Sequence, residues 1–560
     1  MIMKFANNIS IRQIIPWLWK ALKGNRLQVA LNALLGLLGV AVSLSTVWAM
    51  QNAIDIASHA VSGSLFWAVG IMAALILCDF AINISRTWIR NILGVKAQNR
   101  MQQQMLDRLL RSEWQSKERM HSGDVINRLE MDVNSVVVFV TETLPNALSV
   151  VALFIGAFCY LAHMDAYLAL VTIGILPVFM LLSRLYVGRM RKYSRDVRNS
   201  DSQVQSILTE TVQNRMVVKT LECDDMMVRR LGDTHTELRQ RVRRRTKFSV
   251  FSRLILNAGF ASGYLVAFLW SAVRLYEGTI TFGAMTAFLQ LVYRIQGPAR
   301  DITKLAPAFV SVLTAAERLM ELEQMPLETQ GEQRMVQAPC GIRLTGVTYA
   351  YADEPDKKVI DNLSFDFKPG TCTAVLGETG VGKTTLVRMI LSLVRPQDGK
   401  VCIYNNENET EVSPLTRCNF VYVPQGNTLL SGTIRDNLML GNPEATDEMI
   451  REALEKSCAG FVMQLPDGLE TKISESGGGL SEGQAQRIAI ARALLRNRSV
   501  MIFDEASSAL DPDTERKLLE NILRDNDKTV IFITHRHAVV EYCMQVLSIG
   551  KVIKNRAPFL

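Results

Sequence analysis

The chain has 560 residues, 48% of them hydrophobic, and a formal net charge of +8. Its mean hydropathy is positive, which excludes an ordinary soluble enzyme as the whole of it and points to a large membrane-embedded part. The surplus of Lys and Arg suits either nucleic acid or a membrane, and where those residues fall decides between the two.

The N-terminal IRQIIPWLWKALKGNR reads as a short amphipathic segment lying on the membrane surface; no small-residue cleavage site follows, so it is not a removable signal. Six apolar stretches come next, each near the roughly 20 residues a helix needs to cross a bilayer. They cover 27–50, 64–84, 144–162, 166–188, 250–275 and 282–300. The last is the weakest, because Gln290, Arg294 and Gln296 interrupt it. The three short connections, QNAIDIASHAVSG, HMD and YEGTIT, contain no Lys or Arg, whereas the long ones at 85–143 and 189–249 are rich in both, RQRVRRRTK included. Positive charge stays on the cytoplasmic side, so both termini are inside. The basic runs then read as topology determinants and lipid-headgroup contacts, with no nucleic acid partner.

The two inner connections carry apolar residues at helical spacing, as in QNRMQQQMLDRLLRSEW, and read as spanning helices that continue beyond the bilayer. After Met320 the pattern changes to ELEQMPLETQGEQRMVQAPC, a polar linker with two prolines. The expected organisation is a membrane domain over 1–325, a linker over 326–339 and a soluble α/β domain over 340–560. Nine cysteines lack any CxxC spacing, and the seven from Cys223 to Cys543 lie outside the apolar spans, as reduced cytosolic thiols would.

In the soluble domain, TCTAVLG runs into GETGVGKTTLVRMILSLV. A strand, a GxxxxGK[ST] loop and a helix make a P-loop. Backbone N–H groups and the helix N-terminus surround phosphates, Lys383 neutralises the terminal ones, and Thr384 ligates magnesium. SVMIFDEASSALD sets an apolar strand ahead of two carboxylates, Asp504 placed to hold Mg²⁺ through water and Glu505 to polarise an attacking water. Alone, that strand reads by default as a buried strand capped by two solvated acids; beside a P-loop the catalytic reading prevails. VIFITHRH adds a strand ending at His535. A second glycine cluster, GGGLSEGQAQRIAI from Gly477, runs into another helix.

These motifs together resemble the ABC transporters of the exporter type: a half-transporter with an all-α polytopic membrane domain of six helices, fused to one α/β P-loop nucleotide-binding domain. The resemblance covers nearly the whole chain, and LSEGQ at 480–484 is similar to that family's signature sequence. It implies ATP and Mg²⁺ as cofactors. Residue by residue, Tyr351 matches the aromatic that stacks on adenine, and Gly377, Glu378, Thr379, Gly380, Val381, Gly382, Lys383, Thr384 and Thr385 match the phosphate loop. Gln425 matches the glutamine that touches magnesium and faces the membrane domain, and Ser481, Gly483 and Gln484 match the signature. Asp504 corresponds to the metal carboxylate, Glu505 to the catalytic base, Asp511 to the loop crossing to the partner and His535 to the residue contacting the γ-phosphate.

In this family the signature of one copy covers ATP held by the P-loop of another, which accounts for two glycine clusters in one chain. The resemblance therefore implies a homodimer, or a heterodimer with a related chain. Two departures stand out. Glu482 replaces the usual glycine of the signature, so its side chain is expected to point away and leave Ser481 and the Gly483 N–H to make the contact. The chain also stops at NRAPFL, short of the family's terminal helix. Short helices near 112–118 and 211–216 are expected to rest in grooves beside Gln425 and carry motion to the bundle.

Charge inside the spans is a site hypothesis by default. Asp79 and Arg294 lie at comparable depths and either pair with each other or line a substrate cavity with Gln290. The expected function is ATP-driven export of an amphipathic drug, lipid or peptide across a bacterial inner or plasma membrane, the nucleotide-binding domain being cytoplasmic. An importer on the exporter scaffold, of the siderophore type, and a nucleotide-gated channel or regulator stay open as alternatives.

Overall fold

The computed structural model describes residues 11–21, 23–114, 122–351, 354–378, 380–474, 478–524 and 527–550. The chain forms two compact units: 1–106 with 126–322, and 107–125 with 323–560.

The first unit is helical. α1 (Ile11–Ala21) is amphipathic, with Ile14 and Trp17 buried and Ile15 and Trp19 exposed. Long helices follow: α2 (Arg26–Ala57), α3 (Leu65–Arg111), the run α4 (Ser122–Asn127), α5 (Val133–Val138) and α6 (Leu144–Met164), then α7 (Ala166–Gln213), the short α8 (Arg215–Thr220), α9 (Asp224–Tyr276) and α10 (Phe282–Glu323). Two π-helical turns, Arg128–Asp132 and Phe139–Thr143, join α4, α5 and α6 into one continuous segment. Every apolar stretch predicted from the sequence is helical. Among the described residues, four helical segments are long and apolar enough to cross a membrane: Arg26–Ala57, Leu65–Arg111, Gly123–Met164 and Asp224–Tyr276. α7 and α10 complete the six-helix bundle; in α10 the polar Gln290, Arg294 and Gln296 dilute the apolar stretch.

The helices run far beyond a bilayer's thickness. The 53 residues of α9 correspond to about 80 Å at 1.5 Å per residue, against a hydrocarbon core of about 30 Å. α7 and α9 pack along each other, with Tyr193 and Phe248 in edge contact at 5.4 Å. At the opposite end a core forms from Val47, Leu161, Leu168, Phe288, Leu291 and Ile295. Buried Asp55 there accepts the Gly283 N–H at 2.9 Å, and a Cβ at Gly283 would strike that carboxylate at 2.4 Å. Asp165 alone turns the chain from α6 into α7, capping Tyr167 N and Leu168 N at 3.0 Å and accepting Trp270 Nε1 at 3.0 Å. Phe66, Trp67, Leu77 and Phe80 stand exposed, a surface suited to lipid.

The second unit is α/β. β1 (Gly341–Ala350), β2 (Lys358–Phe367), β4 (Asp398–Tyr404) and β5 (Glu409–Glu411) form an antiparallel sheet in the order β2-β1-β4-β5. A parallel sheet, ordered β11-β3-β10-β9-β6, holds β3 (Cys372–Leu376), β6 (Phe420–Val423), β9 (Val500–Asp504), β10 (Thr529–Ile533) and β11 (Gln545–Ser548). β9 and β10 are buried at every position, which is why they read as unbroken apolar runs. The hairpin pair β7 (Gly432–Thr433) and β8 (Lys472–Ile473) and the helices α11 (Lys383–Ile390), α12 (Ile434–Met439), α13 (Asp447–Lys456), α14 (Glu482–Arg496), α15 (Pro512–Leu523) and α16 (His537–Glu541) complete it.

The segment expected as a polar linker docks on this unit: Val336 N donates to Asn419 Oδ1 at 2.8 Å, and Asn419 Nδ2 donates to Arg334 O at 2.8 Å. The helix expected near 112–118 is not seen in its described part, where Ser112 makes an isolated β-bridge to Leu327; residues 115–118 lie outside the described residues. The segment 211–216 joins the end of α7 to the start of α8, none of whose residues is buried. All nine cysteines are free.

Candidate functional site

The parallel sheet brings three strand ends to one edge. Val375, Ile533 and Asp504 lie in register across β3, β10 and β9. The loops leaving those strands at Gly377, Thr534 and Glu505 therefore open side by side, where open α/β sheets bind ligands. Backbone bonds hold them: Glu505 N to Ile533 O at 2.9 Å and Thr534 N to Val375 O at 3.2 Å.

The phosphate loop turns on Gly380 (φ +86°) and Gly382 (φ +109°). A Cβ on Gly382 would also come within 3.0 Å of Val359 Cγ1 and of the Val359 carbonyl, so both conformation and space require glycine. Glu378 and Val381 close the turn, with Val381 N on Glu378 O at 3.4 Å; Thr379 lies outside the described residues. Lys383 opens α11, and its Nζ is held over the loop by the Gly377 carbonyl at 2.7 Å. Thr384 is exposed beside it, while buried Thr385 shares a hydrogen bond of 2.9 Å with the Tyr351 hydroxyl. Tyr351 also packs edge-on against Tyr349, and Arg388 Nη1 donates to its hydroxyl at 3.4 Å.

Glu505 is the meeting point of the predicted catalytic groups. Its backbone is left-handed (φ +49°), a strained conformation for a glutamate and typical of functional positions. Gln425 Nε2 donates to its Oε2 at 2.7 Å, and His535 Nδ1 lies 3.5 Å from Oε1. The neighbouring Asp504 is buried and accepts the Tyr422 hydroxyl at 3.1 Å. Magnesium takes hard oxygen donors. The Thr384 hydroxyl, the Asp504 carboxylate and the Gln425 carbonyl, left free because the amide nitrogen turns to Glu505, are a donor set that fits it.

Burial pushes the Asp504 carboxyl above its ordinary 3.8, partly offset by the hydrogen bond from Tyr422, whose own phenol is pushed up by burial and then by Asp504. A raised folded-state pKa favours the protonated form. The stability it gives is full below pH 3.8 and is lost as the pH rises through the raised value. At neutral pH the carboxylate thus weighs against folding. Asp504→Asn is expected to raise the melting temperature of the nucleotide-free protein by a few degrees, about 1 kcal/mol, while removing magnesium-dependent ATPase; a lower melting temperature in differential scanning fluorimetry refutes this.

The signature begins α14. Ser481 and Gln484 form a reciprocal capping box, Gln484 N to Ser481 Oγ at 3.3 Å and Ser481 N to Gln484 Oε1 at 2.9 Å. Glu482 is exposed in the first turn, where a carboxylate complements the helix dipole. No hydrogen bond or ion pair among the described residues joins Ser481, Gly483 or Gln484 to the phosphate loop of the same chain. A Cβ on Gly483 would meet the Ala509 carbonyl at 2.7 Å, so the signature helix lies directly on the loop leading to Asp511. Asp511 caps α15, accepting Thr514 N at 3.0 Å.

Two residues not singled out in the sequence hold that loop. Arg536 donates to Ser508 O at 2.7 Å, Leu510 O at 3.3 Å and Glu515 Oε2 at 2.9 Å, and Gln486 Oε1 accepts Ala509 N at 3.4 Å. The position of Arg536 directly after His535 was the available signal.

In the membrane unit, a cavity of about 690 Å³ is lined by Gln290, Arg294, Tyr264, Tyr293, Val150 and Leu153 among others. Arg294 bonds Ser43 Oγ, and Gln290 Nε2 contacts Met50 Sδ at 2.9 Å. Asp79 is not part of this lining. It accepts Asn83 Nδ2 at 3.1 Å, and its charge acts on Arg294 from beyond direct ion-pair distance.

A phosphate-loop ATPase domain fused to a bundle of membrane-crossing helices defines an ATP-driven transporter. Residues 29–298 match the family described as ABC transporter transmembrane region, and 360–508 match the family described as ABC transporter. The chain belongs to the ABC transporters, as an exporter-type half-transporter that binds ATP and couples its hydrolysis to transport. It is 27% identical to the ATP-dependent lipid A-core flippase of Bordetella avium, over 87% of this chain and 83% of that protein. It is 28% identical to a putative export ATP-binding/permease protein of Rickettsia conorii, over 83% and 82%. Its fold is similar to that of a bacterial Atm1-family ABC exporter solved with ATP bound, with a TM-score of 0.77, 20% identity and 94% of each chain covered.

Proposed function

We propose that two copies of this chain, or one copy and a related chain, form an exporter of an amphipathic substrate carrying an anionic group, lipid-like in its chemistry. The observation that carries this reading is the cavity in the membrane unit, where a guanidinium and an amide, Arg294 and Gln290, stand among two tyrosines and aliphatic residues. Apolar walls with few placed polar groups suit a ligand with an apolar body and one charged head, and a cation within a membrane helix is costly unless it has work to do. The relatives named as lipid A-core flippases support the class of substrate.

At the nucleotide site, Lys383 and the loop N–H groups hold ATP, with Tyr351 beside its base. Thr384, Gln425 and Asp504 would hold magnesium, which would supply neutralisation of phosphate charge when bound. Glu505 takes the proton of the attacking water, oriented by Gln425 and His535. Ser481 and Gly483 act on the nucleotide of the other copy, for which the absence, among the described residues, of hydrogen bonds between them and this chain's own phosphate loop is support. The exposure of residues 212–216, at the junction of α7 and α8, supports the reading of the 211–216 segment as a docking element for a nucleotide-binding domain. Short connections without Lys or Arg support an orientation with both termini and the ATPase domain in the cytoplasm, in a bacterial inner membrane.

Reconstituted protein should show ATPase stimulation by lipid A or a comparable anionic amphiphile. In Arg294→Ala the half-stimulating concentration is expected to rise about tenfold, the worth of a lost charge-assisted contact. Equal response of the variant to anionic and neutral amphiphiles would refute the role of Arg294.

A further inference from the structure

The geometry points to Glu328 and Arg417 as positioning residues. They form a latch through which the cytoplasmic end of α3 and the chain leaving α10 act on the helix that carries the phosphate loop; this rests on the transport reading above. All the residues involved belong to the second compact unit.

Two chain segments meet first. Around the bridge between Ser112 and Leu327, Glu113 N donates to Pro326 O at 2.9 Å and Glu328 N donates to Arg111 O at 2.9 Å. Arg108 Nη2 donates to Met325 O at 2.9 Å. The residues just beyond α3 and those just beyond α10 are thus joined backbone to backbone, and neither segment can shift without the other.

From that junction the Glu328 side chain reaches the ATPase core. The Glu328 carboxylate, 14% exposed, takes both ends of the Arg417 guanidinium, at 3.0 Å to Nη1 and 2.8 Å to Nη2. Such a two-point pair fixes orientation as well as distance. Arg417 spends its other donors on the end of α11: Nε on Leu391 O at 3.0 Å and Nη2 on Ser392 O at 3.1 Å. Ser392 has a left-handed backbone (φ +52°), so this helix ends in a strained turn whose carbonyls one cation holds. Lys383 stands at the other end of α11, eight residues away, or about 12 Å along a rigid helix. The outer pair of Arg395 with Glu113 at 3.4 Å is exposed at both partners and adds little.

Glu328→Gln separates the two functions of the latch, because Arg417 keeps its bonds to α11 while losing the charged partner on the linker. The test uses the full-length dimer in phospholipid nanodiscs, with spin labels at position 61 on the α2–α3 connection, in a background free of accessible cysteines. In the parent protein, ATP with vanadate should change the label distance. In Glu328→Gln the KM for ATP and the turnover are expected to stay within about twofold, while the fraction of dimers that change distance falls about fivefold, the scale of a typical coupling energy. Glu328→Asp should restore most of it, and Arg417→Ala should raise the KM for ATP about threefold by freeing the end of α11. A full distance change in Glu328→Gln overturns the latch. So does a parallel fall of turnover and distance change that Glu328→Asp does not rescue. No change in the parent protein overturns the transport reading, and the latch with it.

Discussion

Replacing Glu505 by Gln is expected to slow ATP turnover by about 10²–10⁴-fold, the usual contribution of a positioned general base, while ATP binding survives. The substitution keeps size and shape, so the contacts from Gln425 and His535 can persist and the left-handed turn is unchanged. What disappears is the acceptor for the proton of water. Single-turnover hydrolysis measured beside binding of a fluorescent ATP analogue separates the two effects. A loss smaller than tenfold would move the base to another residue, with His535 the next candidate by distance. Because ATP would be bound and not consumed, the variant should also accumulate as the closed dimer.

The second large effect is complementation between two dead proteins. Lys383→Ala removes the phosphate cation from one copy. Gly483→Asp disables the signature of the other, since even a Cβ there meets the Ala509 carbonyl at 2.7 Å. Each homodimer should fall to background ATPase. A mixed dimer keeps one complete site, built from the intact phosphate loop of one copy and the intact signature of its partner. Co-expression at equal levels pairs chains at random, so about half the dimers are mixed, and activity should recover accordingly. If the mixture stays at background while both variants are shown to assemble, the signature does not act across copies. If either homodimer retains its rate, its residue is outside the site.

Much of this was legible in the sequence, for identifiable reasons. The six apolar stretches announced the helical bundle because length and charge are what a bilayer selects on. The phosphate loop, Asp504 and Glu505 announced themselves because each comes at the end of a buried, largely apolar strand, and the register of β3, β10 and β9 then obliges them to meet. What stayed hidden depends on side chains reaching across elements distant in sequence. Arg536 holding the loop at 508–510, and Arg417 joining residues 328 and 391, have no local periodicity to betray them. The segment after Met320 looked like a tether because its residues are polar; its order comes from Asn419, more than eighty positions later. Asp79 and Arg294 were placed at similar depths by counting residues, and the charge of Asp79 does act on Arg294; counting along helices does not fix which side chain faces the cavity, and of the two it is Arg294 that lines it.

The length of α9 has a mechanical consequence. A rod of about 80 Å that tilts by about 5° around one end carries its other end through about 7 Å. With α7 packed against it, the rod is doubled and resists bending. A slender, doubled lever therefore turns a small change of tilt into a movement of molecular size.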